Sequence, residues 1–431
     1  MKGLAAPPRT VDAQVRAEAP SCDRRVRAPC RASFPWLVHF DLAAALRLAQ
    51  SSDPASVADV VARIAGELGA SDTVLYLVDF AQDTLEPLPD RRQHADRPTS
   101  EDVPASMAGR AFADGRAVVS DRPDGVRVWV PITEGSDRTG VLALTMPDAK
   151  EATLAACEEL ALLTGYLIAS HARSTDHYNL YRRRRALSLA ASMQWDLLPP
   201  LVLTTARVTV AGLLEPAYEV GGDCFDYALN DNELAIAIFD AMGHGVGSSL
   251  IAALAVGSYR HDRREGSPLD VTHANLDAAL AAHLPSFAFS TGQLVRLDLD
   301  DGTLTWTNAG HPLPFLVRNG RVIRTLECRP TVPWGLGALA SPTVHVASEA
   351  LEPADSVLFY TDGVIEAHAP GGEGFGAERL ADLLGQVASD LLGPQEIVRK
   401  LSQAVLEHQN QQLADDATFV FVQWHGSGPG R

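Results

Sequence analysis

The chain has 431 residues, 46% of them hydrophobic and 21% charged, with a formal net charge of −18. That length allows two domains plus connecting segments, and the composition is that of an ordinary globular protein. The acidic balance excludes a nucleic-acid footprint, which needs a basic face, and disfavours an anionic membrane surface. The five cysteines, Cys22, Cys30, Cys157, Cys224 and Cys328, are scattered without a C-x-x-C pair. Neither a disulfide framework nor a zinc site is indicated, and a reducing cytoplasm fits best. No apolar run reaches the ~18 residues needed to span a bilayer, and no secretory signal is evident, so the expected location is cytoplasmic.

In chain order, residues 1–40 are rich in Ala, Arg and Pro and are expected to be disordered. A folded unit is expected over 41–172. Asp53 reads as an N-cap with Pro54 in the first turn, and Val57, Val60, Val61, Ile64 and Leu68 form one apolar helix face that Gly69 ends. Strand-like runs follow at Thr73–Phe80, Val126–Ile132 and Val141–Thr145, with a helical pattern from Leu154 to Ser170. This α+β order, with Gly109-Arg110-Ala111-Phe112, resembles a GAF domain, a small sensory module; a PAS-like module is the alternative. The resemblance implies a place where a small-molecule or protein signal acts. No residue identifies a ligand, and a packing or dimerisation domain with an empty pocket is the other reading.

From Ala156 to Leu198 the sequence is nearly free of Gly and largely free of Pro, consistent with one long helix or two abutting ones. Residues 173–200 are therefore expected to be a helical linker, a mechanical coupler of a kind that pairs in homodimers. Arg182 to Arg185 form a basic run that reads as a solvated helix face or as a site for an acidic partner. Pro199-Pro200 ends the helix.

Residues 201–425 carry strand-like stretches at Ala206–Leu214, Glu233–Phe239, Gly292–Leu299, Thr303–Thr307, Ser356–Tyr360 and Ala417–Gln423. Helical stretches occur at Gly247–His261, Ala377–Leu384 and Pro394–His408. Many strands with a few helices point to sheets packed face to face with helices outside; residues 426–431 are expected to be a flexible tail. Acids stand at the ends of several apolar runs: Asp223, Asp240, Asp362 and the pair Asp415-Asp416. Gly222, Gly243 and Gly363 lie beside three of them, where they let backbone approach closely. Carboxylates gathered in one cleft repel each other, which raised pKa values or bound cations relieve. Hard oxygen ligands without Cys or clustered His point to Mg²⁺ or Mn²⁺.

Five motifs follow in order: Glu219-Val220-Gly221-Gly222-Asp223, Phe239-Asp240-Ala241-Met242-Gly243-His244-Gly245, Asn308-Ala309-Gly310-His311-Pro312, Tyr360-Thr361-Asp362-Gly363-Val364-Ile365-Glu366-Ala367 and Asp415-Asp416-Ala417-Thr418. Together they resemble the PPM-type metal-dependent serine/threonine protein phosphatases of the bacterial SpoIIE/RsbU-like class. The upstream Met193-Gln194-Trp195-Asp196-Leu197-Leu198-Pro199 resembles the segment leading into such domains. The resemblance implies an α-β-β-α sandwich holding two Mn²⁺ or Mg²⁺ ions. It places Asp240 as the bridging ligand, the Ala241 carbonyl close by, Asp362 and Asp415 at the second metal, and Asp223 at the first, directly or through water. Asp416 is the adjacent alternative to Asp415. The implied substrate is a phosphorylated STAS-domain anti-sigma-factor antagonist.

His244 reads as a donor to substrate or as a turn residue, His311 as a loop-holding residue, Glu366 as fold support and Asp226 as an outer neighbour of the site. How the phosphate is held stays open. Two competitors stand beside the phosphoprotein phosphatase: a non-catalytic phosphoprotein-binding regulator, and a metal-dependent hydrolase of small phosphate esters.

Overall fold

A computed structural model describes residues 46–47, 53–89, 98–215, 218–219, 221–285, 287–340, 343–369, 372–390, 392–410 and 415–427. The expected disordered segment 1–40 and most of the expected tail lie outside these residues. Residues 39–431 form one unit of the chain.

Asp53 caps a short 3-10 turn at Pro54–Ser56 that runs into α1 (Val57–Glu67). Val57, Val60, Val61 and Ile64 are buried as their spacing predicts, and Gly69 takes the left-handed φ of +94° that ends the element. The chain then builds β1 (Asp72–Val78), β2 (Thr84–Leu88), β3 (Glu101–Asp102), α2 (Met107–Asp114), β4 (Val118–Arg122), β5 (Gly125–Glu134), β6 (Asp137–Met146) and α3 (Glu151–Ala172). The six strands make one antiparallel sheet in the order β3-β2-β1-β6-β5-β4. The β2–β4 strands and α2 are additions to the sequence reading. α3 is long and apolar enough to span a bilayer by length and composition, but half of that stretch is buried and its inner face joins the core formed with α1 and β5. Gly109 of the Gly-Arg-Ala-Phe motif is required by close approach: a Cβ there would lie 2.0 Å from the Val103 carbonyl oxygen.

The expected linker helix is broken. α3 stops at Ala172, and only α4 (His177–Tyr181) and α5 (Leu189–Leu197) follow. Ser174, Thr175 and Ser188 each bond local backbone, which competes with helix continuation, and Ser188 caps α5. Of the basic run, Arg183, Arg184 and Arg185 are exposed and Arg182 is held against the N-terminal unit. Arg182 donates from Nε to the Val78 carbonyl at 2.9 Å and lies over the Phe80 ring, while Arg184 and Arg185 face Glu86 and Glu219.

The C-terminal region contains β7 (Val202–Thr204), β8 (Val208–Glu215), β9 (Asp223–Asn230), β10 (Glu233–Ala241), α6 (Val246–Arg264), α7 (Leu269–His283), β11 (Ser290–Asp298), β12 (Thr303–Ala309), β13 (Phe315–Arg318), β14 (Arg321–Thr325), β15 (Ala347–Ala350), β16 (Ser356–Tyr360), α8 (Asp362–Ile365), α9 (Gly376–Ser389), α10 (Pro394–His408) and β17 (Ala417–Trp424). One sheet runs β15-β12-β11-β10-β9 and the other β14-β13-β16-β17-β8-β7. They meet over a core that includes Phe225, Ile236, Ile238, Val295, Val210, Leu358 and Phe421. α6 and α7 cover the first sheet, and α9 and α10 the second. The order of layers is the expected α-β-β-α sandwich.

The N-terminal sheet docks on this sandwich through the β5–β6 turn. Ser136 Oγ bonds both the N–H and the carbonyl of Thr204, Asp137 accepts from the Leu201 N–H at 3.0 Å, and Arg138 Nε donates to Gln395 at 2.5 Å. Burial pushes the Asp137 pKa up to about 6. The folded protein thus keeps a proton over pH 4 to 6 that the unfolded chain releases, so this group's contribution to stability falls as pH rises through that window. Asp137→Asn is expected to stabilise the chain at pH 7.5 by on the order of 1–3 kcal/mol, with the difference vanishing near pH 4. Urea melts at both pH values check this; an equal difference at both contradicts it.

Candidate metal centre

Strand periodicity places the first acids. Along β10, Leu234, Ile236 and Ile238 face the core between the sheets, whereas Ala237, Phe239 and Ala241 face α6. Asp240 shares parity with the first set, so its side chain belongs to the mouth of the inter-sheet cleft. On β9, Phe225 and Tyr227 face the same core, and Asp223 continues their row. Register pairs Asp223 directly with Asp240. Like charges opposite one another cost stability, so this pair is maintained by something other than its own energetics.

The second sheet supplies the remaining acids. Asp362 begins α8 just after β16, and Asp415-Asp416 lead into β17. Gly363 lets these segments meet: a Cβ there would stand 1.9 Å from the Asp416 carbonyl oxygen and 3.4 Å from Asp415 Cβ. Gly222 plays the same part across the cleft, where a Cβ would lie 2.6 Å from the Ala241 carbonyl oxygen. Asp223, Asp240, Asp362, Asp415 and Asp416 are thereby brought near one another.

Their electrostatics follow from burial and proximity. Asp223 is only 2% exposed, and burial, then the Asp240 and Asp416 charges, hold its pKa well above the usual range. Its Oδ2 accepts from Thr361 Oγ1 at 2.6 Å, and Thr361 Oγ1 in turn accepts from the Thr418 N–H at 2.9 Å. Burial, then Asp362 and Asp415, push Asp240 up to about 7. Asp362 is raised by burial, then by Glu366 and Asp415, and its carboxyl lies within hydrogen-bonding reach of that of Asp240.

Asp415 and Asp416 have different surroundings. The Asp416 carboxylate accepts from the backbone N–H groups of Gly221, Gly222 and Asp223 at 2.8, 2.6 and 3.3 Å, fixing the turn that carries Asp223. Asp415 is exposed at the cleft and accepts from the Asp416 N–H. Among the described residues, no three His, Cys, Asp or Glu side chains already surround one point as a ligand set. The donor chemistry is nevertheless uniform: carboxylates and a backbone carbonyl, with the sulfur of the neighbouring Cys224 buried on the other face of β9. That set fits a hard divalent cation and not zinc.

His311 and Asp226 differ from their sequence reading, and His244 does not. His244 is exposed on the turn after Asp240. The loop at Gly310, whose φ is +68°, is held by Asn308, which accepts from the His311 N–H and donates to the His311 carbonyl, both at 2.8 Å. The His311 ring bonds Thr291 instead. Asp226 does not face the cluster; it is buried and paired with Arg260 and Arg263 of α6. Sequence reasoning missed Thr291, Thr361 and Gln194. Gln194, fully buried on α5, donates from its amide to the Asp223 carbonyl. The only available signal for it was its place in the Met-Gln-Trp-Asp segment.

Residues 230–425 match the family model described as Stage II sporulation protein E (SpoIIE). Protein IcfG of Synechocystis is 25% identical over 268 residues, which cover 56% of this chain and 41% of the relative. Phosphoserine phosphatase RsbU of Bacillus subtilis is 22% identical over 267 residues, covering 61% of this chain and 77% of that protein. The chain thus spans less than half the length of the cyanobacterial relative. The solved PP2C phosphatase domain of Bacillus subtilis SpoIIE, with a fragment of its regulatory domain, aligns at 23% identity and a TM-score of 0.44, covering 51% of this chain and 64% of that one.

Proposed function

We propose that the C-terminal sandwich hydrolyses phosphoserine or phosphothreonine on a signalling phosphoprotein, using two Mn²⁺ or Mg²⁺ ions, in the cytoplasm. The observation that carries this reading is the convergence of Asp223, Asp240, Asp362 and Asp415 at one cleft mouth, with Asp416 engaged elsewhere. Asp240 would serve both ions, Asp362 and Asp415 would hold the second, and Asp223 with the Ala241 carbonyl would complete the first site. Asp416 serves the turn beneath, which favours Asp415 as the ligand. When bound, such ions activate water at neutral pH and screen the phosphate charge. The chain's own residues hold these oxygens at fixed places: Thr361 orients Asp223, Thr291 orients Asp240, and Asp416 fixes the turn between them.

We take the substrate to be a phosphorylated STAS-domain anti-sigma-factor antagonist in a partner-switching circuit, in keeping with the phosphoserine phosphatase RsbU among the relatives. The GAF-like unit would regulate turnover by receiving a small-molecule or protein signal. Its contacts support that role, because the Phe80 ring packs at a tilt against Trp195 with centroids 4.9 Å apart, next to Gln194, which holds the Asp223 backbone. The test is Mn²⁺-dependent release of phosphate from a phosphorylated STAS-domain protein compared with an aryl phosphate. Preference for the phosphoprotein by kcat/KM is expected; turnover of the small ester alone contradicts the assignment of substrate.

A further inference from the structure

A row of side chains crosses the cleft face of the first sheet, and it extends past the acids. Asp223 of β9 pairs with Asp240 of β10, and Asp240 pairs with Thr291 of β11. The register of β11 with β12 then brings the turn after Ala309 beside Thr291, and His311 occupies that end of the row. Thr291 Oγ1 lies 3.2 Å from Asp240 Oδ2 and 2.9 Å from His311 Nδ1. A hydroxyl has one proton to give. The carboxylate is acceptor-only when ionised, so the hydroxyl proton goes to Asp240, and the ring must donate from Nδ1 to Thr291.

The surrounding turn is built to hold that arrangement. Asn308 clamps both backbone groups of His311, and Gln293 donates from Nε2 to the Pro312 carbonyl at 2.6 Å. His311 is 6% exposed, and its Nε2 is buried without a hydrogen-bond partner among the described residues. Burial pushes the ring's pKa down to about 3, against a smaller opposing pull from the Tyr360 backbone, so the imidazole is neutral at working pH. A neutral ring carrying its proton on Nδ1 makes one directed hydrogen bond and adds no charge beside the acids.

We propose that His311 and Thr291 are positioning residues: the imidazole orients the Thr291 hydroxyl, and that hydroxyl holds the Asp240 carboxylate in the conformation that receives a divalent cation. This rests on the phosphatase reading and adds to it two residues that touch neither ion nor substrate. Outer partners of this kind typically change metal affinity by 10–100-fold.

The test is Mn²⁺ binding to the full chain, read as loss of the free-ion EPR signal, with melting temperature measured alongside. Thr291→Val, which keeps shape and removes the hydroxyl, is expected to weaken Mn²⁺ binding by about tenfold, and Thr291→Ser to restore it. His311→Leu is expected to weaken it similarly, and the double variant to be no weaker than either single one, because both break one chain of contacts. Parent-like binding by Thr291→Val, or single effects that multiply in the double variant, overturns the relay while leaving the phosphatase reading intact. Absence of Mn²⁺ binding by the parent overturns that reading and the relay with it. Should His311→Leu fail to fold, the Val and Ser pair at position 291 decides alone.

Discussion

Asp240→Asn is expected to lower turnover of an aryl phosphate at saturating Mn²⁺ by roughly 10³-fold or more, with the fold intact. The amide keeps the shape of the carboxylate and removes its charge. Folding should not suffer, because Asp240 stands opposite Asp223 and close to Asp362 and Asp415, where a neutral side chain relieves repulsion. The melting temperature without metal is therefore expected to stay level or rise. Opposite signs for activity and stability are the signature of a residue placed for function. A steady-state assay with a parallel thermal melt checks both, and a variant that retains more than about a tenth of parental turnover contradicts the assigned role.

Asp416→Ala is expected to do the reverse and damage the fold first. The carboxylate holds the N–H groups of Gly221, Gly222 and Asp223, and its loss leaves buried donors without their acceptor. Hydrogen bonds to charged groups contribute about 1.5–3 kcal/mol each, and the three share one oxygen, so the expected loss is about 3 kcal/mol. Activity should fall as well, since the turn carries Asp223 into the cleft. Asp415→Ala should leave stability near parental, because Asp415 is exposed. Urea unfolding of the two variants separates them; equal stability losses would contradict the division of labour between these adjacent acids.

The neighbouring acids also show where sequence legibility ends. β10 was readable because Leu234, Ile236 and Ile238 against Ala235, Ala237 and Phe239 form an unbroken apolar run with an acid at its end. β9 was not, since Asp226 interrupts it, and the charges that make Asp226 tolerable, Arg260 and Arg263, lie on a helix far along the chain. α7 escaped notice because it has no strong apolar stripe: Val271, Ala274 and Ala278 face solvent. Asp415 and Asp416 could not be separated, because adjacent residues point in different directions and only the turn at Gly221–Asp223 reveals which is which. The linker, read as one long helix or two abutting ones, is three separated helices for a related reason. Composition showed no strong breaker; the local bonds of Ser174, Thr175 and Ser188 interrupt it, and Arg182 with Phe80 and Arg184 with Glu86 then tie the segment to the N-terminal unit. The acids themselves were legible because each ends or borders a buried segment, and a sandwich closes on the ends of its strands.

Anomalous diffraction from crystals of the full chain grown with Mn²⁺ addresses the central claim most directly. The account predicts two peaks at the cleft mouth, both shared by Asp240, with Asp362 and Asp415 on one side and Asp223 and the Ala241 carbonyl on the other. Saturating Mn²⁺ with no peak among these acids, or peaks held by Asp416 in place of Asp415, would contradict it.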